Sequence, residues 1–128
     1  MKSVLPALVA IVDDDESVRD AIGSLFRSMG FRTESFGAGK EFLAAPNLRE
    51  FSCVILDVQM PGMDGLELQL RLAVASHPIP IIFITAFGDE IVRARALRGG
   101  AVSFLTKPFS EDALLSAAQS VIEVEIRN

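Results

Sequence analysis

The sequence predicts an α/β fold, a parallel sheet with helices on both faces, and three observations carry that expectation. Short apolar segments alternate with helical patterns five times along the chain. The first of them, Leu8–Val12 (LVAIV), is apolar at every position, as a strand buried on both faces is. The 128 residues, half of them hydrophobic, suffice for one such domain and not for two.

After Leu8–Val12 come three aspartates, and then Val18, Ile22, Leu25, Phe26 and Met29 fall on one helical face, with Gly30 ending the helix. RTESF (32–36) is less apolar and reads as a strand near the sheet edge. Lys40–Ala45 forms a short helix halted by Pro46. Ser52–Leu56 is the third strand, and a helix runs from about Gly65 to Ala75. Ile79–Thr85 (IPIIFIT) is the fourth strand, followed by a helix near Asp89–Arg98 that stops at Gly99-Gly100. Val102–Thr106 is the fifth strand. A last helix starts at Ser110, its N-cap, with Glu111 and Asp112 suited to the helix dipole and Leu114, Ala117, Ala118, Val121 and Ile122 on one stripe. No linker or internal repeat interrupts this order, so residues 1–128 read as one domain.

Composition narrows the function. Twelve basic and 17 acidic residues give a net charge of −5, which argues against direct nucleic-acid binding. The single cysteine, Cys53, lies inside the apolar run FSCVIL. It reads as a small buried hydrophobe in a protein of the reducing cytoplasm. The apolar stretch after Lys2 resembles a short signal peptide. However, Pro6 interrupts it, Asp13, Asp14 and Asp15 follow at once, and no small-x-small cleavage site is present. No segment approaches the roughly 20 apolar residues of a membrane span.

The chemistry gathers where the strands end. In parallel α/β sheets ligands bind outside the carboxyl ends of the strands. Here the first strand ends at Asp13-Asp14, the third at Asp57, the fourth at Thr85 and the fifth just before Lys107. Each has an ordinary explanation alone. Asp15 reads best as a helix N-cap, a threonine suits a strand, and a loop lysine is usually solvated. Together they bring three carboxylates, a hydroxyl and an ammonium to one edge. Crowded carboxylates repel, and a hard divalent cation such as magnesium relieves that repulsion through oxygen ligands. A facing lysine and hydroxyl suit the remaining oxygens of a phosphoryl group, and an aspartate can carry an acyl phosphate.

The segments VDDDESVRDAI, ILDVQMPGMDGLEL, IIFITAFGD and AVSFLTKPF together resemble the receiver domain of two-component response regulators, over about residues 7–123. Within that family the chain is most similar to receivers of the FixJ/NtrC type. The resemblance implies a flavodoxin-like (CheY-like) fold with five strands in the order 2-1-3-4-5 and five helices. It implies Asp57 as the phosphoacceptor, charged by a sensor histidine kinase or a phosphotransfer protein. It further implies magnesium or manganese on Asp14 and Asp57 and on the backbone carbonyl of Gln59, with Asp13 acting through water. Lys107 would pair with the phosphoryl group, Ala86 would leave room for it, Thr85 would move to meet it, and Phe104 would swing inward behind Thr85. The Lys107–Pro108 bond would be cis. Gln59 and Phe87 would flank the hydrolytic water: Gln59 orients it, and Phe87 either shields the phosphoryl group or packs against the next helix. Phosphorylation would remodel the surface of the fourth helix, fifth strand and fifth helix, where an output partner or a second copy would dock. Such a domain is no enzyme beyond transfer to itself and autodephosphorylation. It is cytoplasmic, either alone or as the first part of a longer regulator.

Other motifs carry less. GAGK (37–40) lacks the P-loop's glycine at 34 and hydroxyl at 41, where this chain has Glu34 and Glu41. His77 has no second ligand nearby for zinc. Met60 and Met63 read as loop packing, and Arg93, Arg95 and Arg98 as a solvated face. Two alternative functions remain: an aspartyl-phosphate hydrolase, which would need an inserted substrate pocket, and a pseudo-receiver, which would bind partners without being phosphorylated.

Overall fold

A computed structural model describes residues 6–75, 78–86 and 88–127. These form β1 (Leu8–Val12), α1 (Glu16–Ser28), β2 (Arg32–Phe36), α2 (Gly39–Leu43), a 3-10 turn (Leu48–Glu50), β3 (Cys53–Asp57), α3 (Gly65–Val74), β4 (Ile81–Thr85), α4 (Glu90–Arg98), β5 (Ser103–Thr106) and α5 (Glu111–Arg127). All pairings are parallel, in the order β2-β1-β3-β4-β5. β2 lies at the edge, as its mixed composition predicts.

The two-residue period of the strands divides the core. Val9, Ile11, Cys53, Ile55, Ile82 and Ile84 face one way, against Ile22 and Phe26 of α1 and Leu114, Ala118 and Ile122 of α5. Ala10, Val12, Val54, Leu56 and Phe83 face the other, against Phe42 of α2, Leu68 and Leu72 of α3 and Ala96 of α4. Burial on both faces is why β1, β3 and β4 read as continuous apolar runs. Cys53 is buried and free. No helix among the described residues is long and apolar enough to cross a membrane.

The differences from the sequence reading have local causes. Met29, expected on the buried face of α1, is 51% exposed. It is the C-cap, one residue past the end of the helix, and the left-handed residue of the turn is Gly30, at φ +92°. β3 runs one residue further than expected, because Asp57 still pairs with Ile84. β4 starts two residues later, after Pro80, which has no N–H and contributes only its carbonyl, to Val54 N. β5 loses Val102, whose N–H still bonds Ile81 O. α2 is shifted to Gly39–Leu43. The turn at Leu48–Glu50 is not visible in the pattern, since three residues cannot show a period. Asp15 caps α1 through Ser17, whose hydroxyl and N–H hold its carboxyl below the usual carboxylate range. Ser110 caps α5 through Ala113 N.

Candidate functional site

The parallel order brings the ends of β1, β3, β4 and β5 to one edge, and the side chains there meet. Asp13 is fully buried and Asp57 is 4% exposed, whereas Asp14 faces solvent. Carboxylate oxygens of all three lie within 4.8 Å of one another. Lys107 Nζ stands 3.0 Å from Asp13 Oδ2 and 3.9 Å from Asp57 Oδ2. The other oxygen of Asp13 accepts from Asp15 N at 2.9 Å, and Asp57 Oδ1 accepts from Gln59 N at 3.3 Å. Three carboxylates thus face one ammonium, and the cluster retains uncompensated negative charge.

Asp57 registers that imbalance. Burial first and the Asp13 carboxylate second push its carboxyl up to about 6, against the opposing pull of Lys107. The pH dependence follows from the sign. Below the unfolded value near 4, Asp57 is protonated in both states; between there and 6, only the folded state keeps the proton. The contribution of Asp57 to the stability of the metal-free protein should therefore fall as pH rises from about 4 to 6. At pH 7 the buried charge costs on the order of 2–3 kcal/mol. Asp57→Asn should recover most of that and flatten the profile, as read by urea unfolding followed by circular dichroism. A variant less stable than the parent at pH 7 would contradict it.

The donor set fits a hard divalent cation. The oxygens are carboxylates, the negative charge exceeds what Lys107 offsets, and Asp14 is open to solvent, as a partly hydrated ion requires.

Thr85, also buried, ends β4, and its carbonyl accepts from Lys107 N at 2.7 Å, which ties the lysine loop to that strand. The Lys107–Pro108 bond is cis, as expected. Ala86 is small and exposed beside Thr85. Phe104 is half-buried, 6.3 Å from the ring of its cross-strand neighbour Phe83. Phe87 and His77 lie outside the described residues. Met60 and Met63 pack the loop after β3 into the core, and Arg93, Arg95 and Arg98 are exposed.

Two contributors escape the sequence reading. Gly65 opens α3 directly against the end of β3: a β-carbon there would collide with Asp57 O and lie 3.0 Å from Phe83 Cε1. Its only trace in the sequence is a glycine where a helix starts. Arg19, one turn into α1, reaches back to Asp13 O at 2.7 Å, and nothing in the pattern of α1 distinguishes it from a solvated arginine.

The chain matches the response regulator receiver domain family over residues 9–119. It is 44% identical over 117 residues to Nodulation protein W of Bradyrhizobium diazoefficiens, covering 91% of this chain and 52% of that protein. A solved structure of the response regulator StyR is 45% identical with a TM-score of 0.85, covering 93% of this chain and 60% of that one. The crystal structure of FixJ-N is 34% identical with a TM-score of 0.84, covering 96% of both. The chain spans about half the length of the curated relatives it matches.

Proposed function

This chain belongs to the receiver domains of two-component response regulators, and from that premise we propose that Asp57 is its phosphoacceptor. The observation that carries the reading is the asymmetry of Lys107. The ammonium is hydrogen-bonded to Asp13 and only adjacent to Asp57, which leaves an Asp57 oxygen beside a cation but not bonded to it. That oxygen attacks the phosphorus of a phosphohistidine on a sensor kinase or phosphotransfer protein. The O–P bond forms as the N–P bond breaks, and the leaving imidazole takes up a proton.

Lys107 then pairs with the phosphoryl oxygens, the Thr85 hydroxyl turns toward them, and Ala86 leaves the space they need. Asp14, Asp57 and the Gln59 carbonyl would hold magnesium or manganese, with Asp13 acting through water. The ion, when bound, neutralises charge on carboxylate and phosphoryl oxygens. The domain acts in the cytoplasm and performs no chemistry on other substrates. Incubation with acetyl phosphate and magnesium, followed by intact mass, tests this. One added phosphoryl group is expected, and its absence under saturating donor would leave an unphosphorylated interaction module.

The output is a change of surface. Thr85 and Phe104 lie on neighbouring strands, and movement of one side chain alters the space open to the other. Phosphorylation is expected to change hydrogen exchange in α4, β5 and α5, where an output partner or a second copy docks. Beryllofluoride as phosphoryl mimic provides the comparison. A change confined to residues 13–40 would contradict the proposal.

A further inference from the structure

Asp13 is held at every polar atom. Its N–H continues the β1–β2 ladder to Phe36 O at 3.1 Å, and its carboxylate is bonded to Asp15 N and Lys107 Nζ. Its carbonyl lies past the end of the ladder, and there the Arg19 guanidinium donates to it at 2.7 Å. The placement runs against two ordinary preferences. A cation in the first turns of a helix opposes the macrodipole, and ordering an arginine costs rotamer entropy. Helical side chains lean toward the N-terminus, so Arg19 can close a ring over the loop 13–15. Gly37, just after β2, lies alongside it: a β-carbon there would stand in ordinary contact with Arg19 Nη1, at 3.4 Å. One guanidinium therefore ties α1 to the end of β1 and lies against the loop after β2.

We propose that Arg19 is a positioning residue for the acid cluster. By fixing the Asp13 carbonyl it sets the loop that aims the Asp13 and Asp14 carboxylates, and so sets affinity for a divalent cation. This rests on the reading of Asp13, Asp14 and Asp57 as a cation site. Simple charge and positioning give opposite signs here. Removing a nearby cation should tighten magnesium binding by Coulomb's law, whereas loosening the loop should weaken it.

The test is titration with magnesium alone, followed by amide NMR shifts, in the parent, Arg19→Ala, Arg19→Gln and Asp14→Ala. Arg19→Ala is expected to weaken binding about five-fold or more, and metal-free hydrogen exchange at Asp15 N–H should speed up. Arg19→Gln ends two bonds short of the Nη1 that reaches the carbonyl, so it removes both charge and contact and should weaken binding as Arg19→Ala does. Tighter or unchanged binding in a folded Arg19→Ala would overturn the proposal. Should Arg19→Ala not fold, tighter or unchanged binding in a folded Arg19→Gln would overturn it equally. Equal binding by the parent and Asp14→Ala would instead refute the cation site itself.

Discussion

Asp14→Ala is expected to abolish magnesium binding and to remove most phosphoryl loading with it. Asp14 is the solvent-facing member of the carboxylate cluster, and a partly hydrated cation would enter through it. Its side chain contributes nothing to the core, so the fold should be left within about 0.5 kcal/mol of the parent. Loss of the ion removes several kcal/mol of charge stabilisation from the transferring phosphoryl group, and each 1.36 kcal/mol is tenfold in rate. Loading from acetyl phosphate should therefore fall at least about 100-fold, with the unfolding curve unchanged. Magnesium-dependent loading at the parental rate would mean the cation sits elsewhere.

Gly65→Ala should have the largest effect on the fold of any change near the site. The added methyl meets a backbone carbonyl and the packed ring of Phe83, neither of which is the free end of a flexible side chain. Overpacking of this kind costs typically 1–3 kcal/mol, and the upper end applies because α3 must back away from β3. Gly65 N donates to Val58 O at 2.8 Å, so that retreat also pulls on the segment from Asp57 to Gln59. A loss of about 2–3 kcal/mol in urea unfolding is expected, together with slower loading. Stability within about 0.5 kcal/mol of the parent would show that the helix start yields easily.

These two residues mark how far the sequence alone reaches. Asp14 is legible because it follows an apolar strand and adds to a pattern: three strands end in an acid or hydroxyl, and a fourth leads into Lys107. The alternation of elements orders those ends along one edge. Gly65 is not legible, because its constraint comes from a close approach across space. The same limit explains Arg19, whose partner is a backbone carbonyl that no side-chain pattern reveals. Met29 misleads for a different reason: it keeps the helical period one residue past the helix. That Lys107 bonds Asp13 while standing 3.9 Å from Asp57 is a matter of side-chain geometry, and the order of residues does not contain it.

The central claim is that one carboxylate, Asp57, takes the phosphoryl group. Intact mass spectrometry of the parent and of Asp57→Asn, after brief incubation with acetyl phosphate and magnesium, tests it most directly. The parent should gain a single phosphoryl group and the variant none, while circular dichroism shows both folded. Equal labelling of Asp57→Asn would contradict the account, because Asp13 or Asp14 would then be carrying the group.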